Sequence, residues 1–375
     1  MQPLKGLTVV ALEHAIAAPF ATRQLADLGA RVIKIERPGT GDFARGYDQR
    51  VRGLASHFVW TNRSKESQTL DVKHPRAAAL LIQLITDKAD CVVHNLAPGA
   101  AARLGVSWAA LKSSRPDLIV CDISGYGDDP KTPGPCRDKK ACDLLIQSES
   151  GFVSLTGTAE EPSKAGLPIA DIAAGMHACS NNLAALLQRH IDGLGRRIDL
   201  SMLEAMGEWI GYPLHYAFEG ATPPPRAGAA HATIHPYGPF PCGDGKTVML
   251  GLQNEREWLQ FCHKVLLQPA LARDARFLGN AQRSAQRLED AQIANAELRD
   301  MAGLWQHEQL AARGRWRQVD TPAGPVPTLL PPGSWDDGDP RLDAVPALGQ
   351  HTDAVLTELG VSKTEIAALR AAEAI

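Results

Sequence analysis

The chain has 375 residues, 44% of them hydrophobic and 22% charged, with a formal net charge of -3. That length exceeds what one hydrophobic core ordinarily serves, so two domains are expected. The charge balance excludes the basic excess that draws a protein to nucleic acid, and no run approaches eighteen uninterrupted apolar residues, so no membrane-spanning helix is expected.

In chain order, the opening MQPLKGLTVVALEHA has too short an apolar run for a secretion signal. Leu7 to Leu12 is β-branched and apolar and predicts a strand. Ala17 to Leu28 carries helical periodicity, and after Gly29 the run Arg31 to Ile35 predicts a second strand. A helix from Pro75 to Lys88 leads to a strand from Cys91 to His94, and a helix around Trp108 to Ser113 leads to a strand from Leu118 to Ile123. Apolar strands that alternate with helices imply an α/β, doubly wound parallel sheet covered on both faces. No GxGxxG follows the first strand, so the usual dinucleotide fingerprint is absent. The seven cysteines, Cys91, Cys121, Cys136, Cys142, Cys179, Cys242 and Cys262, are odd in number and scattered. They form neither a disulfide framework nor a CxxC site, which points to a reducing cytoplasm. No HxH or HExxH spacing occurs, so no metal is expected.

Ligands of such sheets sit at the strand ends, and polar loops follow the strands here. IERPGTGDFAR holds Arg37, HNLAPGAAARLG holds Asn95 and Arg103, and NRSKESQTLDVKHP, read as a connection between the second and third strands, holds Lys73. Basic residues gathered on one sheet edge fit a phosphate-bearing ligand. Further on, Asp171 stands among Leu167, Pro168, Ile169, Ala170, Ile172 and Ala173, where an extended run gives way to a helical one. It is either an ordinary helix N-cap or a carboxylate whose pKa burial raises at a helix N-terminus.

Taken together, LKGLTVVALEH, AAPFATRQLADLGARVIKIERPGTGD, NRSK..QTLDVKHP, HNLAPGAAARLG, ISGYG, the Asp171 stretch, GRRIDLSMLEAM and GQHTDAVLTELG resemble the class III CoA-transferases. That family includes formyl-CoA transferase, carnitine CoA-transferase and alpha-methylacyl-CoA racemase. The resemblance implies a large Rossmann-like domain and a small α+β domain in an interlocked, ring-like homodimer. It divides the chain into residues 1–200, the first part of the large CoA-binding domain, 201–320, a linker and the small domain, and 321–375, a return linker and the rest of the large domain. ATPPPRAG and TLLPPG read as the linkers. Relatives carry a further helical segment where this chain runs from Arg287 to Ile293, so either the small domain is trimmed or part of it is absent from this sequence.

The resemblance makes Asp171 the catalytic nucleophile, which forms an aspartyl-CoA thioester, and puts Gln147 on the active-site wall. Gly238, in the loop RAGAAHATIHPYG, becomes an oxyanion donor through its backbone. Coenzyme A is implied as a substrate, with no tightly bound cofactor. Its phosphates fall to Arg37, Arg103 and Lys140, and its nucleotide to Ile16, Ala17, Leu70, Asp71, Val72, Lys73, Asn95, Leu96 and Ala97.

GPFPCGDGKTVMLGLQNEREW resembles relatives that move CoA between small dicarboxylic acids such as succinate, itaconate, mesaconate or citramalate. Succinyl-CoA is therefore the first expected donor, with Arg226 or Arg256 as a cation for a second carboxylate, while oxalate or formate and carnitine-like acids stay open. His14, His231 and His235 are read either as site residues or as turn residues satisfied by backbone. Two alternatives stand beside transfer: an epimerase like the racemase, and a CoA-binding protein without activity. Cys142 falls where the racemase has a histidine; a thiol packed in an apolar setting stays neutral and is a poor base, which favours transfer.

Overall fold

The computed structural model describes residues 2–232, 236–241, 246–270, 295–333 and 340–375. The chain divides into two compact units, the first formed by residues 1–150, 166–209 and 314–375, the second by 151–165 and 210–313.

The first unit is built on one six-stranded sheet. Its strands are β1 (Thr8–Leu12), β2 (Arg31–Glu36), β3 (Lys65–Thr69), β4 (Cys91–His94), β5 (Ile119–Ser124) and β6 (Arg197–Ser201). They lie in the order β3-β2-β1-β4-β5-β6, and every neighbouring pair is parallel. This is the doubly wound order in which the winding reverses between the first and fourth strands.

Strand β3 corrects the reading of its segment as a connection. Its sequence, KESQT, has no apolar run, and its first three side chains meet polar partners instead. Lys65 Nζ donates to Glu13 Oε1 at 2.6 Å, Glu66 Oε1 accepts from Arg31 Nε at 2.8 Å, and Ser67 Oγ donates to Glu36 Oε2 at 2.6 Å. Hydrophobic alternation marks strands that bury apolar side chains; this edge strand buries an ion network instead.

Up to residue 209 the α-helices are α1 (Ala17–Asp27), α2 (Ser56–Asn62), α3 (Pro75–Lys88), α4 (Ala100–Arg103), α5 (Trp108–Leu111), α6 (Asp143–Glu149), α7 (Phe152–Leu155), α8 (Ile169–Asp192) and α9 (Met202–Trp209). Pro75 occupies the first turn of α3, where its missing N–H leaves no bond unmade. The buried face of α3, Leu80, Leu81, Leu84 and Ile85, shares one core with Val10, Ile33, Val92 and Val120 of the sheet. Leu356 and Ile366, from the helices Thr352–Glu358 and Lys363–Ala371, belong to the same cluster.

Helices α1 and α8 pack on each other at Gly175. A Cβ built there would lie 2.8 Å from Ala17 O and 2.9 Å from Phe20 Cδ1, so only glycine allows the two backbones this close. The first turn of α8 is thereby held beside the start of α1. Gly193, at φ 73° in the left-handed region, ends α8.

The second unit holds an antiparallel sheet in the order β7 (Tyr237–Pro241), β8 (Thr247–Gly251), β9 (Asn295–Glu297). Val248, Leu250, Leu252, Phe261 and Val265 form its core. Residues 151–165, expected with the sheet domain, group with this unit because Arg226 and Gly228 bind them. Arg226 donates to Thr158 O and Ala159 O, each at 2.8 Å, and Gly228 N donates to Gly157 O at 2.8 Å.

Candidate active site

Asn95 ties together the loops that follow β1 and β4, the two strands between which the winding of the sheet reverses. In this sheet order ligands bind beyond the carboxyl ends of the two strands between which the winding reverses, here β1 and β4. Asn95 Oδ1 accepts from His14 N at 2.9 Å, and Asn95 Nδ2 donates to His14 O at 2.8 Å. One side chain thus fixes both loops. The His14 ring stacks on Phe43 at 5.6 Å, and burial holds its pKa below the ordinary histidine value.

The remaining nucleotide candidates follow the same edge. Ile16 and Ala17 are buried at the start of α1, and Arg37 is exposed after β2. Leu70 is buried after β3, where its N–H donates to Glu36 O. Asp71 N donates to Ala374 O, and Asp71 Oδ1 accepts from Lys73 N. Val72 and Leu96 are half-buried against the core, and Ala97 is exposed. Arg103, at the end of α4, and Lys140 are exposed. Every one of these residues lies C-terminal to a strand of the parallel sheet, where the fold class binds ligands.

Asp171 sits in the first turn of α8, three residues past the N-cap, which is Pro168. The N-cap reading of Asp171 is therefore corrected. Another acid does the capping from a different helix: Asp143 Oδ1 accepts from Ala170 N at 2.8 Å and from Asp171 N at 3.3 Å. The other oxygen, Asp143 Oδ2, accepts from Gln147 Nε2 at 2.6 Å. Gln147 is fully buried on α6, so one carboxylate fixes both the glutamine and the first turn of α8.

The Asp171 carboxylate is half-buried and accepts no hydrogen bond from a described residue. Burial, and then the negative charge of Asp143, push its pKa up to about 7. A carboxylate with a thin solvent shell and no donor is a stronger nucleophile than a solvated one. Tyr47, which follows β2 and packs on Phe43 and His57, lies within reach of this acid's charge. Burial raises its pKa, and the charges of Asp42, Asp171 and Cys142 raise it further.

Several expectations change. Cys142 is exposed at the N-cap of α6, so the argument from apolar packing fails for it. Arg226 spends its guanidinium on backbone carbonyls of residues 158 and 159, so it is not reserved for a carboxylate. His231 stacks on Tyr237 at 5.2 Å while its N–H donates to Tyr237 O, an arrangement within the second unit. Gly238 is a strand residue of β7, opposite Leu250, and not a loop glycine; a Cβ there would meet Ala230 Cβ at 2.9 Å. His235 and the segment Arg287 to Ile293 lie outside the described residues. Asp143 escaped the sequence reading as a functional residue, although its i,i+4 spacing to Gln147 was visible in DLLIQ.

Residues 4–291 and 279–352 match the profile of CoA-transferase family III. The chain belongs to this family. As a family III CoA-transferase it is an enzyme whose substrates are CoA thioesters. It is similar to the succinate–glutarate CoA-transferase of Agrobacterium fabrum, 33% identical over 336 residues that cover 87% of this chain and 80% of the relative. The acetyl-CoA:oxalate CoA-transferase of Acetobacter aceti is 33% identical over 285 residues, 76% of this chain and 72% of that one. A solved CAIB/BAIF family protein from Brucella suis superposes with a TM-score of 0.81 at 29% identity, covering 95% of this chain and 99% of that chain.

Proposed function

We propose that this family III enzyme moves CoA from succinyl-CoA to a small dicarboxylic acid through a covalent aspartyl-CoA thioester on Asp171. The observation that carries the reading is the Asp171 carboxylate, half-buried, without a donor among the described residues, and raised to about 7 beside Asp143. The relatives named for succinate, glutarate and oxalate support the acid class.

The reaction divides into matched halves. A carboxylate oxygen of Asp171 attacks the donor thioester carbonyl and expels CoA thiolate, leaving an aspartyl–acid anhydride. The thiolate attacks the aspartyl carbonyl, so the donor acid leaves and the aspartyl-CoA thioester remains. The acceptor carboxylate then attacks that thioester and expels the thiolate, which attacks the acceptor's carbonyl in the new anhydride. Acyl-CoA is released and the Asp171 carboxylate is restored. Each half exchanges one activated carbonyl for another, so no external energy is required, and excluding water prevents hydrolysis of the intermediates.

Arg37, Arg103 and Lys140 serve the CoA phosphates in this reading, Arg by its bidentate fork and Lys as a point charge. The backbone at 16–17, 70–73 and 95–97 serves the nucleotide. The working form is an interlocked homodimer in the cytoplasm. Hydroxylamine added during turnover tests the proposal: it should convert Asp171 to a hydroxamate, read by peptide mass spectrometry, and Asp171→Ala should abolish transfer while retaining CoA binding. Full transfer activity in Asp171→Ala would end the proposal.

A further inference from the structure

The turn between β1 and α1 is held in a conformation that its own residues disfavour. Ala15 has φ 59°, in the left-handed region where a Cβ crowds the backbone, and the α1 N-cap, Ile16, supplies no capping side chain. The restraint comes from the loop after β2. Asp42 Oδ1 accepts from Ala15 N at 3.2 Å and from Ala44 N at 2.9 Å, while Asp42 N donates to Glu36 Oε1 at 3.0 Å. Its second oxygen, Oδ2, accepts from Lys34 Nζ at 2.7 Å. Asp42 is 1% exposed and Lys34 is 0% exposed.

The surrounding charges close on themselves. Lys34 Nζ lies 3.4 Å from Glu13 Oε1, Glu13 accepts from Lys65 Nζ at 2.6 Å, and Glu36 pairs with Arg45 at 2.7 Å. Three carboxylates, Glu13, Glu36 and Asp42, therefore face three cations, Lys34, Lys65 and Arg45. Apolar residues of similar volume commonly give a core as stable as a buried ion cluster does. What an apolar core does not supply is a directed acceptor for Ala15 N.

We propose that Asp42 is a positioning residue for CoA binding. Its buried carboxylate locks the turn that carries Ile16 and Ala17 to the loop that carries Arg37, so that both segments are formed before the nucleotide arrives. Affinity gained this way comes from ordering that need not be repeated on binding. The inference rests on the reading of this sheet edge as the CoA site.

Two double variants separate positioning from stability. Asp42→Asn with Lys34→Met and Asp42→Ala with Lys34→Met each remove one negative and one positive charge and leave the remaining four balanced. Only the first keeps an acceptor for Ala15 N. CoA titration by calorimetry should give a Kd about tenfold weaker for the alanine pair and within about twofold of wild type for the asparagine pair. Amide hydrogen exchange of the peptide spanning 14–17 should accelerate in the alanine pair alone. Equal CoA affinity in the two pairs, or unchanged exchange in the alanine pair, would overturn the inference while leaving the CoA site intact. A wild-type chain that binds no CoA would overturn the site reading, and the inference with it. Should the alanine pair not fold, wild-type exchange decides: an Ala15 amide equally protected with and without CoA supports a preformed turn, and protection that appears only with CoA refutes it.

Discussion

Replacing Asp171 by asparagine should make the protein more stable above neutral pH while removing its activity. Folding raises this carboxyl from 3.8 to about 7. The folded chain therefore binds the proton more tightly than the unfolded chain between those values, and stability falls as pH rises through that window. The contribution is fully present below about pH 4 and fully lost above about pH 7. A shift of about 3 units corresponds to a ceiling of about 4 kcal/mol, of which about 2 to 3 kcal/mol is lost between pH 5 and pH 8. Asparagine copies the neutral carboxyl's shape and does not titrate. Thermal denaturation of both proteins from pH 5 to pH 8 should show the variant's advantage widening by roughly 5 to 10 °C, scaled from the behaviour of domains of 150–250 residues. An advantage that stays constant across this range would show that Asp171 is not destabilised as an anion, and the account of its nucleophilicity would fall with it.

Four further outcomes are expected. Asp143→Asn keeps an acceptor for Ala170 N but removes the charge that raises Asp171, so the acid limb of the kcat/KM profile should move to lower pH; an unmoved limb would assign that limb to another group. Arg37→Ala and Arg103→Ala should each weaken CoA binding by roughly 1.5 to 3 kcal/mol, with a smaller loss for dephospho-CoA or pantetheine, and unchanged affinity in both would move the nucleotide elsewhere. Gly175→Ala should destabilise the protein despite alanine's helix preference of about 1 kcal/mol, because its Cβ would stand 2.8 Å from Ala17 O; denaturant midpoints that rise would contradict that close approach. Incubation with (R)- and (S)-2-methylacyl-CoA in deuterium oxide should give no α-carbon exchange at rates comparable to transfer, and exchange with inversion would identify an epimerase.

The sequence by itself determined the alternation of strands and helices, and with it a parallel sheet whose loops gather at one edge. It located α3 from Pro75 to Lys88 and β4 from Cys91 to His94, because both are apolar on the faces they bury. It also singled out Asp171, a lone acid in an apolar stretch at a helix start. Tertiary structure decided what depends on partners far away in the chain. Strand β3 is polar, and it became recognisable only when Glu13, Arg31 and Glu36 arrived to satisfy it. Asp143 precedes Asp171 by 28 residues, and only the packing of α6 against α8 makes it both the cap of α8 and the charge that raises Asp171. Cys142 and Asp143 are neighbours in sequence, yet one faces solvent and the other the helix N-terminus. Local pattern reports which faces of an element are apolar; which polar groups meet is fixed by how the elements pack, since the partners that satisfy most buried polar groups come from elsewhere in the chain.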